Sequence, residues 1–233
     1  DITATVSKGA AGTLAVGSAT TAGAIAVDAT YTAAATGGAV TLAGGTSITA
    51  TLKAGNALNT TSTFGAIGAT GGAATTSISV TQSAATTASA TKVGVVNGAV
   101  TVADANATSA TKAGTLTDVT LSSYGNSTIS SGALTDVHLS GTGGTLGVTA
   151  GALTVPAVSA LNIHANTAAV GAITVDADYK TVTIDSSTKA STIADVTASG
   201  ATTVNVTGDA KLTLTDNTFA AATSIVVTNT AGT

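Results

Sequence analysis

The sequence predicts an all-β fold, an irregular parallel β-solenoid with short strands and turns rich in Gly, Asp and Asn. Val, Ile and Leu recur with a period of two, as in strands whose successive side chains face opposite sides. Short segments are repeated along the chain, as in folds that stack similar units. With two Phe, three Tyr and no Trp, the core must be thin and close-packed by small side chains.

The predicted strands are short and follow one another closely. Gly, Asn, Asp, Ser and Ala, which favour turns, separate them, and no apolar stripe with helical spacing competes with this pattern. In the last third of the chain the strand centres lie roughly eight to twelve residues apart. The strands with the clearest alternation are 39–42, 77–80, 99–102, 173–175, 181–184, 203–206, 211–214 and 225–227.

Three repeated segments support stacking. Residues 116–122 return at 134–140 with one residue changed, residues 23–29 return at 171–177, and residues 38–43 resemble residues 98–103. Irregular spacing between repeats predicts coils of uneven size. If the step of 18 residues from 116 to 134 is one turn of a solenoid, Asp118 and Asp136 stack at an inter-strand distance of about 4.8 Å.

A β-sandwich is the alternative fold for strands at this spacing. The solenoid is preferred because a sandwich of this length would normally contain several aromatic core residues, whereas a solenoid is filled by Val, Ile, Leu and Ala. Residues 1–233 are therefore predicted to form one elongated solenoid region. The candidates for bends are the Gly-rich segment 64–72 and the segment 141–156, which contains the only Pro.

Composition excludes several classes of function. A net charge of −4 and a pI near 4.7 argue against nucleic-acid binding, which needs clustered Lys or Arg. The absence of Cys excludes disulfides and thiolate metal sites, and no apolar stretch of about 18 residues indicates a transmembrane segment. Glu, Arg, Met and Trp are also absent, so the protein is not predicted to be an enzyme. The start at Asp1, without a signal-peptide pattern, suggests a fragment or processed product.

A Ser-His-Asp catalytic site would have to use one of the two histidines of the chain. Alternation in the predicted strands places His138 and His164 on the outward face, and no nucleophile motif accompanies either of them. A solvated strand histidine is therefore the favoured interpretation for both. A metal site that uses both histidines is possible in space, but their spacing in the sequence does not support it.

The aspartates are candidate metal ligands. Alternation is expected to place Asp176, Asp178 and Asp185 outward on one short surface, and stacking adds the pair Asp118 and Asp136. Calcium is the predicted cofactor because it accepts carboxylate, carbonyl and water oxygens in flexible geometry. The competing interpretation, given equal weight for the first three, is that these residues only end strands and solubilise turns. Three further candidates lie in turn-like surroundings, Asp104, Asp209 and Asp216, whereas Asp28 and Asp195 are assigned to turns or surface.

Pairs of threonines in the pattern Thr-x-Thr raise the possibility of an ice-binding face. Such a face requires one rank of threonines per coil at constant spacing. The pairs occur at Thr3/Thr5, Thr49/Thr51, Thr115/Thr117, Thr181/Thr183 and Thr213/Thr215. This distribution is too scattered for such a face.

Several segments, taken in order, resemble a known family. Residues 96–101, 110–114, 131–143 and 151–154 are similar to the central part of the lattice-forming domain of RsaA-type surface-layer proteins of Caulobacter, over about residue 37 to the end. The resemblance implies a secreted lattice protein with a calcium-bound β-solenoid. It also implies that the regions for export and for attachment to lipopolysaccharide lie outside this sequence. The family's calcium nonapeptides are absent, so no individual ligand is carried over.

The predicted function is therefore structural. We expect an extracellular, calcium-dependent surface layer on a bacterial cell, in which identical protomers are the partners. An extracellular adhesin or filament module is the alternative. An ice-binding or polysaccharide-degrading solenoid is less favoured.

Overall fold

The computed structural model describes residues 1–8, 12–31, 37–54, 62–84, 95–153 and 157–231. In these ranges the chain has no helix and forms parallel strands stacked in a β-solenoid of about nine turns, which confirms the predicted fold class. No described segment is a helix long and apolar enough to span a membrane.

Twenty strands are present in the described ranges, and most contain four to eight residues. They are β1 Ile2–Lys8, β2 Leu14–Gly17, β3 Ile25–Tyr31, β4 Val40–Ala43, β5 Ser47–Ala54, β6 Ser62–Thr63, β7 Ile67–Thr70, β8 Ser77–Ala84, β9 Val95–Val96, β10 Val100–Ala103, β11 Asp118–Tyr124, β12 Ser127–Ser130, β13 Asp136–Gly143, β14 Leu146–Thr149, β15 Ala160–Val175, β16 Thr181–Asp185, β17 Ser191–Thr197, β18 Thr203–Thr207, β19 Leu212–Thr218 and β20 Ser224–Val227. Each predicted strand falls within or overlaps one of them.

The strands form two parallel ladders, one on each side of the solenoid. The first sheet runs in the order β1, β3, β5, β8, β11, β13, the first part of β15, β16, β18 and β20. The second sheet runs in the order β2, β4, β7, β10, β12, β14, the last part of β15, β17 and β19. Strands β6 and β9 pair separately.

The corner between the sheets is made by residues in the left-handed backbone region. Ser123, Gly141 and Thr167 have φ values of 54°, 68° and 58°. Ser123 and Gly141 lie where the strand register shifts. Because a residue in this region turns the chain sharply, β11, β13 and β15 each continue past their left-handed residue without ending there. A single strand, β15, therefore joins the two sheets.

The coils differ in length, as the irregular spacing predicts. Hydrogen bonds between equivalent positions of adjacent coils join Thr117 to Thr135, 18 residues apart, but Thr76 to Thr117, 41 residues apart. Between Asp185 and Thr207 the step is 22 residues. The additional residues lie in the connections between strands, so the ladders remain in register while the sequence repeat is lost.

The core is a thin stack of aliphatic side chains. Each inward position lies on the same position of the preceding coil, and burial of each such side chain contributes roughly 1.5–3 kcal/mol. Two tyrosines, Tyr124 and Tyr179, are the largest fully buried side chains. One inward column consists of Ile25, Ile48, Ile78, Val119, Val137 and Ile163, each at most 1% exposed.

Two of the three repeated segments occupy equivalent positions. Segment 116–122 lies directly beside 134–140 in the first sheet. Val40 and Val100, from the similar segments 38–43 and 98–103, both align with Ile67, one coil on either side. The pair 23–29 and 171–177 is not equivalent, because residues 25–29 belong to the first sheet and residues 173–175 to the second.

The two segments considered for bends contain paired strands. In the first, β7 aligns with β4 and β10. In the second, β14 aligns with β12 and β15. Residues 154–156, which include Pro156, lie outside the described residues.

Candidate functional site

Two columns of polar side chains run along the outer face of the first sheet. In-register parallel pairing places each residue about 4.8 Å from its equivalent in the next coil. One column contains Ser77, Asp118, Asp136, Asn162, Thr183 and Asn205, and the adjacent column contains Ser79, Thr120, His138, His164, Asp185 and Thr207. We call the five ionisable residues of these columns, Asp118, Asp136, His138, His164 and Asp185, the histidine–aspartate cluster.

The stacking of Asp118 on Asp136 is confirmed. Two carboxylates about 4.8 Å apart repel by about 1 kcal/mol in water and by about 3–4 kcal/mol at an effective dielectric constant of 20. Each is contacted by an imidazole of the following coil. His138 Nε2 lies 3.1 Å from Asp118 Oδ2, and His164 Nε2 lies 3.2 Å from Asp136 Oδ1. These contacts offset the repulsion within the chain itself.

The two histidines face outward, as predicted, and lie side by side. His138 and His164 are paired in register, with ring centroids 4.5 Å apart and ring planes 10° apart. Their side chains are 43% and 36% exposed. The sequence did not predict this pairing, because the segment around His164 does not repeat the one around His138 and the coil between them is longer than 18 residues.

Asp185 belongs to this cluster. Its Oδ1 accepts hydrogen bonds from Thr207 Oγ1 at 2.9 Å and from Ser187 Oγ at 3.2 Å. Its Oδ2 lies 3.8 Å from His164 Nδ1, which is too long for a hydrogen bond. A shallow groove of about 340 Å³ lies over this part of the sheet and is lined by both histidines and Asp185.

The structure does not bring Asp185 together with Asp176 and Asp178, contrary to the sequence expectation. Strand β15 ends at Val175, so the alternation that was extended to Asp178 stops before it. Asp176 and Asp178 lie in the turn before β16, whereas Asp185 is the last residue of that strand. Four steps along β16 separate the two ends by about 13 Å.

The Asp176 carboxylate, in the turn that also carries Asp178, accepts two long hydrogen bonds. The backbone N–H groups of Asp178 and Ala150 each donate to the Asp176 carboxylate at 3.3 Å. Tyr179 is buried directly after this turn. Burial and the charges of Asp176 and Asp178 raise the pKa of the Tyr179 hydroxyl, so this tyrosine stays neutral.

Asp104 has a structural role in the fold rather than an open ligand position. It is only 3% exposed, and its carboxylate accepts three backbone N–H groups. Asn106 donates to Oδ1 at 2.7 Å, and Thr115 and Leu116 donate to Oδ2 at 2.8 and 2.7 Å. Asp104 therefore fastens the two ends of the loop 104–116 to each other.

The remaining candidates lie at the C-terminal end of the solenoid. Asp209 accepts the Thr188 N–H at 3.2 Å. Asp216 is exposed and stacks in register on Asp195, which the sequence assigned to the surface. Thr197 Oγ1 donates to Asp195 at 3.3 Å. This second stacked aspartate pair has no neighbouring imidazole.

Within the described ranges, no three His or Asp side chains are already arranged to hold a metal ion. The lysine–carboxylate ion pair found there joins Lys53 to Asp28 at 3.0 Å. The carboxylates of the cluster are contacted by imidazole, amide and hydroxyl groups instead.

Asp136 is the carboxylate with the most contacts in the cluster. Burial tends to raise its pKa. Hydrogen bonds from Thr135, Asn162 and His164, together with the charge of His164, outweigh burial and lower the pKa. The ionised form is therefore the one that this site stabilises.

Threonines form an interrupted rank on the outer face of the second sheet, in a pattern that a search for Thr-x-Thr pairs does not detect. One outward column contains Ala15, Thr41, Gly68, Thr101, Thr128, Gly147, Thr174, Thr197 and Thr218.

Comparison with protein-family models and with curated proteins finds no match to this chain.

Proposed function

We propose that the protein is a structural component of a bacterial surface layer, in which copies of this chain associate side by side and calcium strengthens their contacts. The observation that carries the proposal is the outer face of the second sheet. From Ala15 to Thr174 its central column contains only Ala, Gly and Thr, and the adjacent outward column contains only Gly, Ala, Thr and Ser from Gly17 to Thr149. An uncharged face of this kind packs against a second copy of itself without burying a charge.

The size of this face favours an array over an isolated dimer. The face spans seven strands that lie about 4.8 Å apart and are each about 13 Å long, so its area is roughly 450 Å². A stable pair normally buries about 800 Å² on each partner. One such contact is therefore weak, and stable association requires many contacts at once, as in a layer.

Calcium is proposed to act between chains. The donor chemistry fits, because the available groups are carboxylate and backbone oxygens, which Ca²⁺ prefers. Asp176 and Asp178 are the best candidates, since only long N–H contacts occupy the Asp176 carboxylate. They lie beside the uncharged face, because Asp176 N donates to Val148 O of β14 at 2.9 Å. Two carboxylates are too few for a complete site, so a second chain would supply the remaining oxygens.

Assembly in calcium and in chelator tests the calcium part of this proposal. Light scattering and electron microscopy should show ordered aggregates with Ca²⁺ and dispersed protein with chelator. The double variant Asp176→Asn and Asp178→Asn should lose the calcium response. Asp28→Asn, whose carboxylate is paired with Lys53, is the matched control and should retain it. A lattice that is unchanged by chelator would remove calcium from the proposal.

Charges placed on the two sheets test the face itself. Thr101→Lys and Thr128→Lys introduce like charges at the centre of the second sheet's outer face and should prevent assembly. Thr49→Lys, at an exposed strand position on the first sheet, is the control. If Thr101→Lys leaves assembly intact but abolishes thermal hysteresis of freezing, the threonine rank binds ice, and side-by-side association through this face is wrong.

A filament or adhesin module is the second candidate function. In β20, Ile225 and Val227 are 58% and 56% exposed, although their side chains occupy inward positions. The equivalent of Ile225 in the preceding coil, Val204, is fully buried. This apolar surface fits one further coil. Electron microscopy separates the two candidates, because end-to-end stacking gives single fibres whereas side-by-side contact gives sheets.

A further inference from the structure

We propose that His138, His164 and Asp185 bind a divalent transition-metal ion such as Zn²⁺ in the groove on the outer face of the first sheet. The three residues occupy the same outward column on three successive coils. This site is distinct from the calcium contacts proposed above, in both place and ligand chemistry.

Each histidine has a carboxylate partner of the kind that metal-ligating histidines usually have. In metal sites, the ring nitrogen that does not bind the ion donates its hydrogen to a carboxylate, which fixes the ring and makes the other nitrogen more basic. Asp118 holds Nε2 of His138 at 3.1 Å, and Asp136 holds Nε2 of His164 at 3.2 Å. With the proton on Nε2, Nδ1 of each ring carries a lone pair.

The distance from His164 to Asp185 fits an ion between them. Nδ1 and Oδ2 are 3.8 Å apart, beyond hydrogen-bond range. Two ligand atoms about 2.1 Å from a tetrahedral Zn²⁺ are about 3.4 Å apart. A shift of about 0.4 Å would therefore bring both atoms into the coordination sphere.

His138 joins this site after a rotation of its ring, which releases its Nε2 from Asp118. The rings are stacked with centroids 4.5 Å apart, so their nitrogens do not point at a common centre. The side chain is 43% exposed and borders the groove, which leaves room for the rotation. Water from the open groove supplies the fourth ligand, as in other zinc sites with three protein ligands.

Charge and ligand type both select a transition metal. Three carboxylates surround two imidazoles, and none of the three is paired with a lysine in the described part of the chain. The cluster therefore attracts cations. Imidazole nitrogen is a good ligand for Zn²⁺, Ni²⁺ and Cu²⁺, whereas Ca²⁺ prefers sites made of oxygen.

The experiment is a Zn²⁺ titration of the whole chain in calcium-free buffer. Isothermal titration calorimetry should give one Zn²⁺ per chain, and the thermal unfolding midpoint should rise with Zn²⁺. The variants His164→Gln and His138→Gln should each weaken binding about tenfold or more, because each removes one of three protein ligands. Asp136→Asn, which removes the partner of the His164 ring, should weaken it about 10- to 100-fold. Asp216→Asn, an exposed aspartate outside the cluster, should not change it.

The wild-type protein provides a readout that does not depend on variants. The chain has only two histidines, so the imidazole C–H signals in a proton NMR spectrum report this site alone. Both signals should move with one equivalent of Zn²⁺ and neither with Ca²⁺. Unmoved signals, or an affinity that His164→Gln leaves unchanged, would overturn the proposal. Neither result bears on calcium-dependent assembly, which is measured separately without Zn²⁺.

Discussion

Replacement of Asp104 by Asn should destabilise the middle of the solenoid strongly. Three backbone N–H groups donate to this buried carboxylate, two of them to Oδ2. Asn has one acceptor oxygen, so its NH₂ group must face at least one of these donors. A buried donor without a partner costs about 1–3 kcal/mol, and the remaining bonds lose the strengthening that a charged acceptor gives. We expect a total loss of about 2–4 kcal/mol.

Urea unfolding and amide hydrogen exchange measure this effect. Hydrogen exchange is needed because solenoids open coil by coil, so a local loss of stability need not appear in global unfolding. In Asp104→Asn, exchange should accelerate first at the amides of Thr115 and Leu116. The control is Asp209→Asn, which affects one exposed carboxylate with a single N–H contact of 3.2 Å. Its effect should stay within about 0.5 kcal/mol. If Asp104→Asn costs no more than this control, the carboxylate does not hold the loop 104–116.

Three further perturbations test other parts of the structure. Because the pKa of Asp136 is lowered, its ionised form stabilises the fold at pH values above the ordinary pKa of 3.8. That stabilisation is lost as the pH falls through the lowered pKa. Acid unfolding of Asp136→Asn should lack this loss, and an unfolding profile identical to that of the wild type would contradict the assignment. Tyr124→Phe removes a buried hydroxyl that has no hydrogen-bond partner among the described residues, so thermal unfolding should show no loss. Tyr179→Phe removes a long hydrogen bond of 3.4 Å to a backbone carbonyl and should cost up to about 1 kcal/mol. Gly44→Ala should lower the free energy of unfolding by about 1–3 kcal/mol, since φ is 85° and a Cβ would meet backbone atoms. Gly147→Ala, whose Cβ would lie 3.7 Å from a methyl group, is the control. Equal thermal unfolding midpoints for the two variants would refute the argument.

The fold class was predictable from the sequence because it depends on alternation, which is local. The 18-residue repeat also placed Asp118 on Asp136 correctly. The alignment of His138 with His164 was not predictable, because it depends on the number of residues that the intervening turns absorb. That number varies from coil to coil, as the steps of 18 and 41 residues show. Local alternation also failed at Asp178, where a turn interrupts the strand.

The low charge of the chain follows from the way it stacks. In a parallel in-register solenoid, each outward residue lies on its equivalent one coil away, so a charge repeated from coil to coil repels itself at about 4.8 Å. Among the described strand pairs, aspartate stacks on aspartate in only two places, Asp118 on Asp136 and Asp195 on Asp216. The first is accompanied by two imidazoles in the adjacent column, and the second lies at the exposed end of the ladder. Elsewhere the outward columns use mainly Thr, Ser, Asn, Gly and Ala, which stack without repulsion, so the histidine–aspartate cluster stands out as a concentration of charge that the stacking alone does not require.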